Sequence, residues 1–426
     1  MMSLIATIIF IFLMCIGVPI AASLGLAAGA VIFWYDLPLS VIAQRTVNSL
    51  DSTPLLAVPM FIFAAAIFNT AGITEHLFNF VRMVVGRIRG GLGYVTILTH
   101  LVFSGISGAA LADIGALGSI QIRMMRQQGY RDEFSAGICM AASTLGPIFP
   151  PSIPLVIYAT TAEISAVRLM LAGIIPALVI AAVLMVQVAL IARRQGLPTD
   201  TVTVTRQSFM RQFFIAVPAL MAPVILIAGM MAGFLGSTEA AGVTVVYAIL
   251  VGAFVYRKLN WRNFIEAARE TVLACAGILL IVGVSELFAW VLTIDRIPAL
   301  AAEFLLGLSR NPWVLLLIAN VVLLIAGTII EPLPAILLLT PIIAPGLHAA
   351  GVDPHHLGVV VVLNLMIGLL TPPVGMSLYM VSNVGRIPLE KVVVGAIPFI
   401  FSLIVSLLIV TFVPAFSTWL PGLVMK

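Results

Sequence analysis

Hydroxyl side chains, glycines and prolines cluster at four points within the apolar stretches of this sequence, and together they could bind a small cation. The clusters are Ser104–Gly108, Gly146–Pro154, Gly327–Pro332 and Gly368–Gly375. Glycine and proline interrupt the helical hydrogen-bond ladder, so each cluster leaves main-chain carbonyl oxygens without helical partners. Such carbonyls, with serine and threonine hydroxyls beside them, suit a hard cation such as sodium. The residue types therefore predict two cation sites.

Two carboxylates and two helix starts near these clusters could also act on an anionic substrate. Asp113 follows the first cluster and Glu331 lies in the third. A charge in such apolar surroundings is costly, so we expect it to have a function. Helices that start near Ala109 and Pro334 would present unpaired amides, which attract anions. The side chains that we expect to contact a substrate are Ser104, Asp113, Ser152, Thr328, Glu331, Asn364 and Ser377.

Each of these residues, taken singly, also has a structural interpretation. Glycines in membrane helices often allow close packing, and serine or threonine often bonds the carbonyl one turn earlier. A buried carboxylate can likewise bond to the backbone or to an arginine. The functional interpretation is favoured for the group because the whole pattern occurs twice in the sequence.

The second occurrence lies 222 residues after the first, and seven glycines or prolines coincide at this offset. The pairs are Gly105/Gly327, Gly129/Gly351, Gly146/Gly368, Pro150/Pro372, Pro151/Pro373, Gly173/Gly395 and Pro176/Pro398. Composition alone predicts roughly one coincidence, so the chain contains two copies of one unit. In each copy an apolar crossing, Glu133–Glu163 or His355–Asn383, is broken by glycine and proline. Unwound backbone at membrane depth is tolerated only against protein or a water-filled cavity.

The composition is that of a polytopic membrane protein. Of the 426 residues, 62% are hydrophobic and 9% charged, and the mean hydropathy is +1.20. Apolar stretches repeatedly reach the length of about 20 residues that spans a bilayer. The small excess of lysine and arginine lies in short loops beside these stretches, so it reports membrane topology and not a nucleic-acid partner.

Charge placement predicts how the chain is threaded. We expect ten full spans and two hairpins that enter and leave on one side, Leu92–Ile122 and Trp313–Leu347, each made of two half-length helices on either side of a tip. In this arrangement 16 of the 21 lysines and arginines are cytoplasmic, as the positive-inside rule requires, and both termini are periplasmic. The two hairpins then open to opposite faces, which makes the repeat inverted.

The predicted fold class is an all-α polytopic membrane protein with an inverted repeat, two re-entrant hairpins and two broken transmembrane helices. The first repeat covers residues 1–194, with outer helices in 1–71 and a hairpin and broken helix in 90–163. A cytoplasmic linker follows at 195–212. The second repeat covers 213–426, with outer helices in 213–258 and a hairpin and broken helix in 312–385. Between them, an amphipathic connector at Asn260–Glu270 matches Leu37–Asp51 of the first repeat, and a span follows at Thr271–Leu292.

Several segments resemble the large membrane subunit of tripartite ATP-independent periplasmic (TRAP) transporters, of the dicarboxylate and sialic-acid permease type. The segments are Gly72–Glu75 with Leu77-Phe78, Phe103–Ala110 with Asp113, Gly146–Pro154, Ser237–Ala241 and Gly368–Gly375. The resemblance extends over essentially the whole chain. One departure is Ser237-Thr238-Glu239, which lacks the proline of the family's usual Thr-Pro-Thr-Glu.

The resemblance implies a sodium-driven importer of an organic acid that works as an elevator in the bacterial inner membrane. The hairpins and broken helices would form a mobile transport domain, and the outer helices a scaffold. A separate small four-helix membrane subunit would complete the scaffold, and a soluble periplasmic binding protein would deliver the substrate. The resemblance also implies sodium ligands, at one site Ser104, Ser107, Gly146 and Pro150, and at the other Gly327, Thr328, Gly368, Thr371 and Met376.

Three other functions compete with this one. A sodium/anion symporter with similar hairpins would need no binding protein. An intramembrane hydrolase would use Asp113 or Ser104, but His100, one turn from Ser104, has no further residue to complete a triad. A scaffold without transport activity would leave the repeated interruptions unexplained. The sequence does not identify the organic acid.

Overall fold

Helices form all the regular secondary structure of the computed structural model, which describes residues 2–200 and 205–425. The helices up to the linker are α1 Met2–Cys15, α2 Ile20–Trp34, α3 Ser40–Leu50, α4 Ala57–Thr70, α5 Ile73–Val85, α6 Gly91–Ser107, α7 Ala110–Gln127, α8 Asp132–Ser143, α9 Ile153–Thr161 and α10 Ala166–Gln195. Those after it are α11 Arg206–Met231, α12 Ser237–Leu250, α13 Trp261–Ile294, α14 Ile297–Leu308, α15 Pro312–Ile329, α16 Pro332–Ala349, α17 Pro354–Gly368, α18 Met376–Gly385, α19 Leu389–Phe412 and α20 Ala415–Val424.

Eight helical stretches within the described ranges are long and apolar enough to cross a membrane. They are Thr53–Thr70, Ala166–Gln195, Arg206–Met231, Ser237–Val255, Trp261–Ile294, Pro312–Ile329, Pro332–Ala349 and Leu389–Phe412. Six of them match predicted full spans, and the other two, Pro312–Ile329 and Pro332–Ala349, are the limbs of the second hairpin. The four other predicted spans are the two broken helices, and α1 and α2, which have only 14 and 15 residues. Helices α1 and α2 are short because Gly17, in the left-handed conformation, and Pro19 separate them.

The hairpin limbs are longer than predicted. The sequence predicted half-length helices on either side of each tip, whereas α6 has 17 residues and α7, α15 and α16 have 18 each. At 1.5 Å per residue each limb is about 26 Å long, close to the thickness of the hydrocarbon layer. The limbs extend because a single glycine costs a helix only about 1 kcal/mol, so α6 continues through Gly105 and α15 through Gly327 to the turns at Gly108 and Ile330.

Both predicted interruptions are present. The helix that starts at Asp132 ends at Ser143 and resumes at Ile153, and the helix that starts at Pro354 ends at Gly368 and resumes at Met376. The Pro150–Pro151 and Pro372–Pro373 peptide bonds are both cis. The broken helices lie in the core, because α8 is buried from Phe134 to Ser143 and α17 from His356 to Gly368. A helix that is apolar on every face is buried on every face.

The helices repeat with the predicted offset. Helix α16 begins and ends 222 residues after α7, and α15, α17, α18 and α19 follow α6, α8, α9 and α10 within a few residues. Contacts between the copies are reciprocal: α8 packs on α19 as α17 packs on α10, and α7 packs on α18 as α16 packs on α9. A two-fold relation between the copies produces such a pattern. The order and packing of the helices agree with the predicted offset.

The copies differ in their outer helices. In the first, α3 and α4 are separated by Ser52 and a short 3₁₀ turn that contains Pro54. The sequence predicted a matching connector at Asn260–Glu270 and a separate span at Thr271–Leu292, but one helix, α13, runs through both. It continues because its 34 residues contain no proline, so nothing ends the hydrogen-bond ladder.

Candidate functional site

The first hairpin tip bonds directly to the first broken helix. Ser107, at the end of α6, donates its hydroxyl hydrogen to Oδ1 of Asp113, in the first turn of α7. The carbonyl of Gly108 accepts from the amide of Ile153, where the broken helix resumes, at 3.3 Å. A Cβ atom on Gly146 would overlap Oδ2 of Asp113, so glycine is required for the carboxylate to approach the break.

Asp113 has one carboxylate oxygen without a protein partner. Its side chain is fully buried, and no residue in the described part of the chain hydrogen-bonds to Oδ2. A buried, unpaired carboxylate oxygen is costly in an apolar environment unless a cation compensates it. Ser107 gives its hydrogen to Asp113 and its oxygen accepts from the amide of Ala109 at 3.4 Å, which leaves one lone pair of that oxygen for the cation. Ser107, Asp113 and Gly146 thus come together as a candidate cation site.

The second tip meets the second broken helix through main-chain groups. The amide of Val374 donates to the carbonyl of Thr328 at 3.3 Å. A Cβ atom on Gly327 would lie 3.2 Å from Cα of Gly368, so the two helices touch backbone to backbone. The hydroxyls of Thr328 and Thr371 donate to carbonyls of their own helices, each at 2.8 Å. Both hydroxyl oxygens therefore keep lone pairs that could bind a cation.

The two candidate sites differ in charge and in exposure. At position 335, which matches Asp113, the second copy has an alanine. The first break is buried from Pro150 to Ser152, whereas Pro372 to Val374 are exposed and Met376 is 41% exposed. Irregular backbone is not stable against lipid, so the second break must face water or another protein chain.

The remaining predicted residues have mixed environments. Ser104 donates to the carbonyl of Leu101 at 2.6 Å, and Ser152 caps α9 by accepting from the amide of Leu155 at 3.1 Å. Ser377 donates to the carbonyl of Leu369 at 3.1 Å. Asn364 is fully buried against α15 and lies outside both central cavities described next. Glu331 is the one predicted substrate contact that lines either of those cavities, and it is charged.

Two adjoining cavities separate the tips from the outer helices. One, of about 280 Å³, lies between the first tip and helices α4 and α13, and Ser107, Asn69 and Glu270 line it. The other, of about 160 Å³, lies between Ala109–Leu111 and Glu331–Leu333, where α7 and α16 begin. Their shared lining residues are Ala109, Ile153 and Ile278. The starts of α7 and α16 therefore face one central space, although α16 begins at Pro332 and not near Pro334 as predicted.

Sequence reasoning missed the outer wall of this space. Asn69, Glu270 and Thr271 line the larger cavity and belong to α4 and α13. The available signal was weak: Glu270 is the last charged residue before a long apolar run in α13. None of the described residues that line either cavity is a lysine, an arginine or a histidine. The amides at the start of α7, not a basic side chain, are thus the groups in this space that could attract an anion.

Interrupted helices that meet at a central cavity, within a bundle of apolar helices long enough to span a membrane, are typical of secondary transporters. Residues 7–416 match the family model of the tripartite ATP-independent periplasmic transporter, DctM component. The chain belongs to this family and is therefore a multi-pass inner-membrane protein. Its relatives are transporter permease subunits, so the chain is not an enzyme and the hydrolase alternative is excluded.

Two relatives and one solved structure illustrate the match. The chain is 42% identical to the sialic acid TRAP transporter large permease protein SiaM of Vibrio cholerae, covering 96% of this chain and 95% of the relative. It is 39% identical to the C4-dicarboxylate TRAP transporter large permease protein DctM of Pseudomonas aeruginosa, covering 94% of each. The fold resembles that of the Alcanivorax borkumensis YdaH transporter, with a TM-score of 0.67, 14% identity and coverage of 97% and 98%.

Proposed function

We propose that the chain is the large permease subunit of a sodium-coupled secondary transporter that imports an organic acid. The unpaired, fully buried Oδ2 of Asp113 beside the first break carries this proposal. A carboxylate in that position favours a monovalent cation that can bring one positive charge and accept carbonyl and hydroxyl ligands. Sodium bound there would draw energy from its gradient, and its binding would organise the tip against the break.

The substrate that this space suits is a carboxylate held mainly by main-chain groups. The amides of Ala110, Leu111 and Ala112, in the first turn of α7, have no partners within the helix, and Ala110 and Leu111 line the smaller cavity. The relatives named above transport sialic acid and C4-dicarboxylates by their descriptions, which supports an organic acid. Sodium at the adjoining tips would supply the positive charge that the lining side chains lack.

Transport would follow an elevator mechanism within an inverted repeat. The hairpins and broken helices, α6–α9 and α15–α18, would move as one body against α4, α11, α12 and α13. The reciprocal packing of the copies and the cavity between α7 and α13 support this division. The pseudo-two-fold axis would lie in the membrane plane, so that the hairpins are re-entrant from opposite faces and both termini are periplasmic.

A small four-helix membrane subunit and a periplasmic binding protein would complete the transporter. Many apolar side chains on the outer helices are exposed in the described chain, among them Phe33, Trp34 and Phe254 at 76%, 80% and 72%. Lipid and the small subunit would cover these surfaces. The binding protein would deliver the acid to the periplasmic side.

Reconstituted vesicles would test this function against its rival. The purified transporter, with its small subunit, is expected to accumulate organic acid only with an inward sodium gradient and only when the binding protein is added. Counterflow of a panel of organic acids would identify the substrate. Uptake that needs sodium but no binding protein would favour the self-sufficient symporter. Uptake that does not respond to sodium would contradict the proposal.

Replacing Ser107 by alanine is expected to raise the sodium concentration for half-maximal uptake about tenfold, which is about 1.4 kcal/mol. The change removes one oxygen ligand and leaves Oδ1 of Asp113 without its donor. Sodium titration of uptake at saturating substrate would measure the shift. Ser406→Ala is the matched control, because Ser406 is equally buried but donates to the carbonyl of Ser402 on α19. An unchanged sodium dependence for Ser107→Ala would remove this residue from the site.

A further inference from the structure

A chain of buried polar side chains joins the second hairpin to the second broken helix. Nδ2 of Asn364, on α17, donates to Oδ1 of Asn320, on α15, at 2.9 Å and to its main-chain carbonyl at 3.0 Å. Nδ2 of Asn320 in turn donates to Oγ1 of Thr411, on α19, at 3.1 Å. The three side chains are at most 3% exposed. We call Asn320 and Asn364 the amide clamp.

A main-chain carbonyl and a third helix orient the clamp. Because the carbonyl of Asn320 can only accept, Nδ2 of Asn364 must face it, and Oδ1 of Asn320 faces the same Nδ2. Nδ2 of Asn320 then points to the hydroxyl of Thr411. The main-chain carbonyl of Thr411 also contacts Nε2 of His356 at 3.2 Å, so Thr411 is itself tied to the start of α17. The amide of Asn320 therefore has one orientation that satisfies both neighbours.

The clamp lies close to the second candidate cation site. Asn364 precedes Gly368 by four residues on α17, and Asn320 precedes Gly327 by seven residues on α15. The two helices thus touch at two levels, once through the amides and once where Gly327 meets Gly368. Two points of contact fix both the spacing and the register of a helix pair. The carbonyls at the second break come directly after Gly368 in the sequence, so the contact between Gly327 and Gly368 lies beside them.

The first copy has no such clamp. The residues 222 positions earlier are Leu98 and Ala142, which are apolar. The first copy instead has Asp113 at its tip, where the second has Ala335. A site with a carboxylate attracts a cation by charge, whereas a site of neutral oxygens depends on how well those oxygens are positioned. Each copy therefore has a buried polar feature that the other lacks: the carboxylate of Asp113 in the first and the amide clamp in the second.

We propose that the amide clamp positions the second cation site and so sets its affinity for sodium. Asn320 and Asn364 are positioning residues: they hold α15 against α17, and the carbonyls near Gly327 and Gly368 bind the ion. The proposal rests on the sodium-coupled transport proposed above. It also gives Asn364 a role other than the predicted contact with substrate, in agreement with its location outside the cavities.

The test replaces the amide clamp by the residues that the first copy has at the same helix positions, Leu98 and Ala142. The variant Asn320→Leu with Asn364→Ala installs them in the second copy without leaving a single amide unpaired. In reconstituted transporter with binding protein, we expect the sodium concentration for half-maximal uptake to rise about tenfold. The Hill coefficient for sodium should fall from about two toward about one, because one of two coupled sites is weakened. At saturating sodium the substrate concentration for half-maximal uptake should not change.

Thr411→Val is a milder second variant that keeps the shape of the side chain and removes only the anchor of Asn320. We expect it to raise the half-maximal sodium concentration about threefold, below the roughly 10- to 100-fold typical of outer-shell changes, because Thr411 acts on the clamp through one hydrogen bond only. Thr244→Val is the matched control, since Thr244 is buried on α12 and bonds the carbonyl of Ala240. It should leave the sodium dependence unchanged.

The outcomes separate this inference from the proposed function. Wild-type uptake that does not depend on sodium would overturn both the proposed sodium-coupled transport and the role of the amide clamp. Sodium-dependent wild-type uptake, with an unaltered titration in Thr411→Val and in the double variant, would overturn the amide clamp alone. If the double variant does not assemble, the sodium titration of Thr411→Val alone decides whether the amide clamp affects sodium affinity. A rise in the substrate requirement without a change in sodium dependence would also contradict it, and would favour Asn364 as a substrate contact.

Discussion

Replacing Asp113 by asparagine is expected to raise the sodium concentration for half-maximal uptake by roughly 100-fold, which corresponds to about 2.7 kcal/mol of binding free energy. Asparagine keeps the shape of the side chain and an oxygen that can accept from Ser107. It removes the negative charge, and with it the Coulomb attraction for sodium in surroundings that screen charge poorly. Asp113 is fully buried, so solvent cannot replace that attraction.

Sodium titrations at saturating substrate, with substrate titrations at saturating sodium, would measure this effect. Glu303→Gln is a suitable control, because it also neutralises one carboxylate but lies on an exposed part of α14. A variant with the wild-type sodium titration and a raised substrate requirement would contradict the expected role. It would instead support Asp113 as a substrate contact, as the sequence first suggested.

Replacing Gly395 by alanine is expected to destabilise the folded transporter by about 3 kcal/mol, the upper part of the usual range for overpacking. Gly395 lies where α19 crosses α8, and a Cβ atom there would overlap the carbonyl oxygen of Glu133. It would also lie 2.7 Å from the carbonyl carbon and 3.0 Å from Cα of that residue. These are backbone atoms, so only separation of the two helices could relieve the overlap.

The change in stability would be measured as the thermal midpoint of the purified complex, the temperature at which half of its monodisperse peak is lost. Gly277→Ala is the matched control, because a Cβ atom on Gly277, within α13, would meet none of the described atoms of other helices within 4 Å. Alanine there should stabilise the helix by roughly 0.5 to 1 kcal/mol. Equal midpoints for the two variants would mean that α8 and α19 do not need backbone contact.

Much of the site could be predicted because its signals are local. Glycine and proline end helices through their own backbone geometry, so the breaks at 144–152 and 369–375 could be located before any contact was known. The offset of 222 residues located the second break from the first. Hydroxyls and carboxylates at the tips marked Ser107 and Asp113, which the fold brings together with Gly146.

The missed features depend on partners distant in the sequence. The amide clamp joins residues 44 positions apart, and Thr411 lies 91 positions from Asn320. No periodic pattern in α15 or α17 indicates that their asparagines face each other. The outer wall at Asn69 and Glu270 has the same origin, since α4 and α13 come from different copies. The continuity of α13 was missed because the repeat suggested a break that only Pro54 provides in the first copy.

By itself the sequence determined the membrane class, the duplication, the two interruptions and the family, because each follows from residue type and spacing along the chain. The sequence also shows that a carboxylate lies at the first tip only, but the tertiary structure alone decided how far each candidate cation site is buried. One pairs a buried carboxylate with a closed break, and the other has neutral oxygens at an exposed one. The physical reason is that burial and hydrogen-bond partners depend on helices brought together from both copies, and these contacts are not encoded in any single stretch.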